Sequence, residues 1–328
     1  MSSIFAQSLI DTWHIVPRVL VIMFISLYAS QVLIEAGLFK KLEFMGRPLA
    51  RLANLPNEAG ITFLASFGSV LAGNTILAKL RREKRIDNTQ TLLSALLNTT
   101  PVYVKETFTY QIPVMIPLLG IKVGLLYFLT FIVSGIIKTF FVIVYGRIRL
   151  KAPESETRSV DPNSTHFGMT TKREFGRKFG QVFVLALTRQ RKIFLKVSTI
   201  FVSTTFIIFL LINNGIITGL VDYVRPLTDF FRLPPSCVLP VGTYMFSPLV
   251  GATSLGAMLK DGILTDLQTI TACVLGSLLM LPIFTLRSSF PKYTSIFGFS
   301  LGSTILLVST GLGMLSRGAF LLLFLSIS

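Results

Sequence analysis

Apolar runs long enough to cross a bilayer alternate along the chain with short polar stretches. Pro17–Ala36, Asn88–Val104, Leu195–Asn214 and Asp266–Phe284 are four such runs. Each fits the roughly 20 residues a helix needs to span the hydrocarbon core. Ile112–Tyr145 is apolar for longer than one span, and Pro117 with Gly120 divides it. Thr294–Leu325 is divided likewise by glycines and Arg317. The apolar segment Glu58–Ala78 is interrupted in its middle by Ser66-Phe67-Gly68-Ser69, a helix-breaking glycine among hydroxyls. A second segment is interrupted by Tyr244-Met245-Phe246-Ser247-Pro248, where proline takes over the breaking role. In Arg173–Lys192, Phe175, Phe179, Val182, Phe183 and Ala186 share one helical face beside six cations. That pattern predicts an amphipathic helix lying in the membrane interface. Ser2–Trp13, with Ile4, Phe5, Leu9 and Trp13, predicts another.

These elements come in two copies. Shifted by 178 residues, the chain matches itself. Arg47-Pro48-Leu49 falls on Arg225-Pro226-Leu227, and Leu55-Pro56 on Leu233-Pro234. Ser69, Leu71, Gly73, Thr75 and Leu77 fall on Ser247, Leu249, Gly251, Thr253 and Leu255. Gln90-Thr91 falls on Gln268-Thr269, and Gly120, Gly124 and Gly135 meet Gly298, Gly302 and Gly313. Apolar composition alone scatters leucine matches; it does not place these motifs in order without a gap. The copies are residues 1–146 and 173–328. Residues 147–172 between them are rich in Ser, Thr, Pro and charge and read as a flexible linker.

Charge tells the copies apart. The chain carries 31 Lys+Arg against 15 Asp+Glu, a net +16, although only 14% of its residues are charged. Gly37–Leu55 has a net +3 and its copy Gly215–Leu233 has 0. Lys79–Asn88 has +3 and its copy Ala257–Asp266 has −1. Lys and Arg concentrate in cytoplasmic loops. The loops of the first copy and the linker are therefore expected inside, and those of the second copy outside. Equivalent loops on opposite sides define inverted-topology repeats, a plan of secondary transporters. With both basic loops of the first copy inside, Glu58–Ala78 must enter and leave on one side. The expected fold is thus an all-α polytopic membrane protein of two inverted-topology repeats. Each would hold a re-entrant helical hairpin, an amphipathic interfacial helix and an odd number of full crossings. A multi-pass protein of the cell membrane with a cytoplasmic linker follows.

Hairpin tips at membrane depth are tolerated only inside protein or beside water, so they should line a cavity. The candidate substrate ligands there are Ser66, Gly68, Ser69, Asn74 and Thr75 from the first copy. Tyr244, Ser247, Thr253 and Ser254 are the candidates from the second. Hydroxyls, exposed carbonyls and half-helix N-termini suit small polar solutes and ions, although Ser, Thr and Gly also let helices pack closely. Glu58, Lys105 and Glu106 are charges inside or beside apolar segments and so candidates for a coupling-ion site. Glu58 also suits a helix N-terminus, and Lys105-Glu106 an external loop. Cys237 and Cys273 read as small buried hydrophobes, and His14 with His166 cannot build a metal site alone. No phosphate loop, zinc-protease motif or nucleophile elbow occurs, so no catalytic residue is assigned.

Broken apolar hairpins following a Gly-led stretch, doubled with inversion, resemble the Gate or nucleoside-recognition domain family. Concentrative nucleoside transporters, the membrane core of ferrous iron transport protein B and the spore maturation membrane proteins are similar in this sense. The resemblance covers both copies and not the linker. It implies a Gate-type membrane protein and a transporter of nucleoside-like solutes. The tips here hold Ser, Gly, Tyr and Pro, where nucleoside transporters of that group carry acidic and amide side chains. The reading that follows is an ion-coupled secondary transporter of a small polar solute, working by alternating access. Its partners are the lipid bilayer, the solute, sodium or a proton and, as an option, a second copy in a homo-oligomer. No nucleic acid and no cofactor are expected. A membrane scaffold working through its linker, or a lipid-handling protein, are the competing readings.

Overall fold

The structure, a computed structural model, describes residues 2–35, 46–151 and 218–327. Within 191–215 it also describes residues 191, 194–195, 198–199, 202–203, 205–207, 209–211 and 213–215. The expected interfacial helix Arg173–Lys192, apart from Arg191, and most of the linker lie outside the described residues.

All described elements are helical. In the first half these are α1 (Ser2–Glu35), α2 (Gly46–Leu52), α3 (Asn57–Gly68), α4 (Val70–Arg82), α5 (Asn88–Leu97) and α6 (Thr100–Glu106). A π-helical stretch (Thr107–Met115), α7 (Ile116–Leu119) and α8 (Ile121–Arg149) follow. The second half has α9 (Thr218–Phe230), a 3-10 turn (Pro235–Cys237), α10 (Val238–Tyr244), α11 (Pro248–Lys260) and α12 (Asp266–Phe284). It ends with a π-helical turn (Thr285–Ser289), α13 (Phe290–Phe297) and α14 (Phe299–Ile327). Among the described residues, three helical runs are long and apolar enough to cross a membrane: Ile121–Arg149, Asp266–Phe297 and Phe299–Ile327.

The long helices are built for an apolar solvent. On α8, Ile121, Ile136, Phe140 and Ile148 face outward, while Gly124, Thr130, Ser134, Gly135 and Lys138 are buried. On α14, Leu307 and Leu315 are outside and Gly302, Gly313 and Ser316 inside. Small and hydroxylic residues at the contact let helices approach where lipid provides no hydrophobic drive between them. The N-terminal helix follows the same rule: Phe5, Leu9 and Trp13 are exposed while Ser8 and Thr12 are buried.

The local backbone recurs at the same 178-residue spacing as the sequence. Left-handed turn residues stand at Asn54 and Arg232 (φ 50° and 53°) and at Lys84 and Gly262 (φ 57° and 70°). Gly120 and Gly298 (φ 79° and 82°) each start a long helix. Asp87 with Gln90, and Thr265 with Gln268, form capping boxes, each side chain satisfying the other's backbone N–H. The helical path breaks at Ser69 and again at Ser247, both extended.

Contacts between the halves are reciprocal. The core around the first broken hairpin (Phe63, Leu77, Leu93, Leu97) takes in Phe297 and Ile305. The core around the second (Val241, Tyr244, Leu255, Ile270) takes in Leu119 and Tyr127, the equivalents of those two residues. Equivalent helices also meet each other antiparallel. Ser134 of α8 meets Ser316 of α14 at 2.8 Å, and Lys138, a turn later, meets Ser309, earlier in α14, at 3.0 Å. Asn213 bonds Ser8 at 3.0 Å while the Phe194 ring meets that of Phe24 at 5.1 Å.

Several expected boundaries move. Ser2–Trp13 is no separate helix, because α1 continues through Pro17 to Glu35. A membrane-type helix tolerates proline when neighbouring groups re-satisfy its backbone. Asn88–Val104 is not one span: a turn at Asn98-Thr99 separates α5 from α6, whose Pro101 stands in its first turn. Arg317 and its neighbouring glycines do not divide the last helix; only Gly298 does. A glycine inside a helix costs about 1 kcal/mol, which close packing across the helix pair offsets. The linker begins later than residue 147, since α8 runs to Arg149.

Candidate functional site

Each broken hairpin turns at its serine. Ser69 accepts a hydrogen bond from the Ala72 amide at 3.4 Å, and its own amide donates to the Ala65 carbonyl. Ser247 donates its amide to Thr243 at 2.9 Å, and Pro248 then opens α11. The missing N–H of proline is harmless in the first turn, where no helical acceptor would receive it. The arms press together at glycine in both copies. A Cβ on Gly73 would stand 2.6 Å from the Thr62 carbonyl, and one on Gly251 would stand 2.6 Å from the Tyr244 Cβ.

Different chemistry fastens the two hairpins. In the first, the buried Asn98 amide donates to the Asn74 carbonyl oxygen at 3.1 Å and receives the Thr62 hydroxyl at 3.3 Å. In the second, the fully buried Tyr244 meets the Tyr127 hydroxyl at 2.6 Å. Asn98 corresponds to Gly276, whose Cβ would lie 2.7 Å from Tyr244. The tyrosine therefore occupies the space that the asparagine fills in the first copy.

The expected ligands divide between these places. Ser66 and Asn74 are buried; Ser66 donates to the Thr62 carbonyl at 2.8 Å. Gly68 closes α3. Ser69 and Thr75 are exposed, and Thr75 returns its hydroxyl to Leu71 at 2.8 Å. Tyr244 and Ser247 are buried, while Thr253 and Ser254 are partly buried, with Thr253 bonded to the Leu249 carbonyl at 2.7 Å. The residues around the two hairpins belong to two separate apolar cores. Glu58 stands in the first turn of α3 and pairs with Arg85 at 2.6 Å. This is its helix-terminus role, with the carboxylate engaged at the end of the hairpin. Lys105 and Glu106 close α6, and both are exposed.

A second polar place lies where α8 crosses α14. Lys138 is 7% exposed, and its ammonium lies 5.2 Å above the Tyr103 ring as well as on Ser309. Arg317 donates Nε to the Ser277 hydroxyl at 3.0 Å and Nη1 to the Gly313 carbonyl at 3.2 Å. Ser277 in turn donates its hydroxyl to the Val274 carbonyl at 2.8 Å. Glu106 is within electrostatic reach of both cations. Among the described residues neither cation forms an ion pair with a carboxylate. A charge in the middle of a membrane helix costs about 2.5–3.5 kcal/mol on insertion scales, and such charges mark function by default. Reading the sequence missed Lys138 and the role of Arg317. The available signal was a lone cation deep inside each long apolar run.

No family model matches the chain, and no solved structure matches it. It is similar to three proteins of Methanocaldococcus jannaschii named as uncharacterized proteins. MJ0880 is 22% identical over 86% of this chain and 88% of its own length. MJ1556 is 27% identical over 92% of each. MJ0871 is 24% identical over 91% of this chain and 89% of its own length. Each relative is matched along nearly its whole length.

Proposed function

We propose that the protein is a secondary transporter of a small polar solute, coupled to an ion gradient and working by alternating access between two inverted-topology repeats. The observation that carries this reading is the antiparallel packing of equivalent helices. Lys138 stands later than Ser134 in α8, yet its partner Ser309 stands earlier than Ser316 in α14. A two-fold axis along the membrane normal would leave equivalent spans parallel. An axis in the membrane plane reverses them, as in many transporter folds. The different loop charges of the two copies support the same reading.

The broken helices fit it too. Ser69 and Ser247 each interrupt a helix between two arms, and discontinuous helices form the solute and ion sites of such transporters. In this reading Arg85 bonds Glu58 at the base of one hairpin, and the two halves rock about the crossing of α8 and α14.

The test is uptake into proteoliposomes with an imposed sodium or proton gradient. A panel of labelled nucleosides, amino acids and organic acids supplies the solutes. Flux that follows the gradient and falls on Gly68→Leu or Ser247→Leu is the expected result. A protein whose cellular role survives both substitutions but is lost on deleting residues 152–172 is a scaffold instead.

A further inference from the structure

Lys138 and Arg317 come from different halves and are not equivalents of each other: Lys138 corresponds to Ser316, and Arg317 to Thr139. Two unrelated positions nevertheless bring cations to one place. Ser309, Gly313 and Arg317 lie at intervals of four on one face of α14. The guanidinium reaches back to the Gly313 carbonyl, and the Lys138 ammonium sits on Ser309 one turn further. The two charges are thus separated by about 6 Å of helix rise. Gly313 between them is buried, and a Cβ on it would stand 3.6 Å from Arg317 Nη1 and 3.2 Å from Leu281 Cδ1. Ser277, Ser134 and Ser316 add hydroxyls around it, and Tyr103 forms one wall. The facing acid is Glu106, exposed and beyond ion-pair distance of both cations. One carboxylate facing a buried lysine and a half-buried arginine leaves a positive balance in the middle of the spans.

We propose that Lys138 and Arg317 form an oxyanion site, holding a carboxylate or phosphate group of the transported solute. Arginine presents a planar fork of donors that matches an oxyanion in two-point contact. Lysine adds a compact second charge, and the flanking serines add neutral donors. An anion seated there neutralises the cations while the halves exchange access. The assignment rests on the transport reading and names its substrate class.

The test titrates the purified full chain in detergent with succinate, inorganic phosphate and the neutral diamide of succinate, following thermal unfolding and heat of binding. The expected result is that succinate or phosphate binds and the diamide does not. Lys138→Gln and Arg317→Gln each weaken that binding by about 10- to 100-fold, and Arg317→Lys restores part of it. Lys79→Gln, on an exposed side chain, leaves it unchanged. Equal binding of the diamide overturns the site without any variant having to fold, as does indifference of the wild type to every anion. Stabilisation by phosphatidylglycerol nanodiscs over phosphatidylcholine ones, with no soluble anion bound, overturns the solute assignment in favour of a lipid headgroup. Anion binding that needs both cations but yields no flux upholds the site and removes the transport reading. Gradient-driven flux of a neutral solute, blind to these substitutions, removes the site and keeps transport.

Discussion

The Tyr127 hydroxyl lies 2.6 Å from that of Tyr244, both side chains buried, one on the long helix of the first half and the other at the break of the second hairpin. It is a direct bond between the halves at the place where the second helix stops. Tyr127→Phe or Tyr244→Phe leaves the other hydroxyl short of a partner and costs about 1 kcal/mol of stability. The double variant costs less than the sum of the singles, because the second substitution removes a group already stranded. Chemical unfolding of the four proteins in detergent measures this coupling.

Packing around Tyr244 makes a sharper demand. Its Cβ would stand 2.6 Å from a Cβ on Gly251 and 2.7 Å from one on Gly276. Gly251→Ala and Gly276→Ala each overpack this core and lose about 1–3 kcal/mol. At Gly242, in the same hairpin arm, a Cβ meets nothing within 4 Å. Gly242→Ala therefore keeps or raises stability, by up to about 1 kcal/mol from helix propensity. Melting temperatures of the three variants check the contrast.

Gly120 and Gly298 share φ near 80° and ψ near 165°, a conformation confined almost wholly to glycine. A Cβ at either meets open space, so the penalty of Gly120→Ala or Gly298→Ala comes from the backbone alone. Each loses about 1–3 kcal/mol, and by nearly equal amounts, since the two helix starts have the same geometry. Markedly unequal losses in paired unfolding measurements would show that the two starts bear different strain.

In the first hairpin, Asn98 joins Asn74 and Thr62 across three elements. Asn98→Leu leaves the buried Asn74 carbonyl without that donor and costs about 1–3 kcal/mol. Asn98→Gly instead copies the second half, but no tyrosine is present to fill the space, so it costs at least as much through the cavity. Unfolding of both variants beside the wild type decides whether polar satisfaction or volume dominates.

Glu83 and Asp261 are equivalent and exposed, just past α4 and α11. Inverted repeats place them on opposite faces of the membrane. With Cys237 and Cys273 replaced by serine, Glu83→Cys should react with an impermeant maleimide only from the cytoplasmic side, and Asp261→Cys only from the outside. Reaction of both from one side would exclude the inversion.

Local punctuation was the legible part. Gly120 ended one helix and began another as read, the helix breaks fell at Ser69 and Ser247, each next to the breaker read from the sequence (Gly68 and Pro248), and the matched motifs returned as matched backbone. Such features depend on residues within a turn of one another, and glycine, proline and a capping serine act there without distant help. The single helix over Ser2–Glu35 and the unbroken α14 were not legible. Pro17 and the glycines around Arg317 weaken a helix locally, and only neighbours packed against it decide whether it survives.

The same division runs through the candidate sites. By themselves, the residues determined a largely apolar chain in two copies, with basic loops in the first copy and near-neutral ones in the second, and a breaker in each hairpin. They could not determine that Asn98 reaches Asn74, that Tyr244 reaches Tyr127, or that Lys138 and Arg317 gather at one crossing. Lys138 and Ser309 are 171 positions apart and meet only because α8 and α14 cross antiparallel. A cation in an apolar run signals its own cost wherever it is read, but the groups that offset that cost are chosen by the packing of helices remote in the chain.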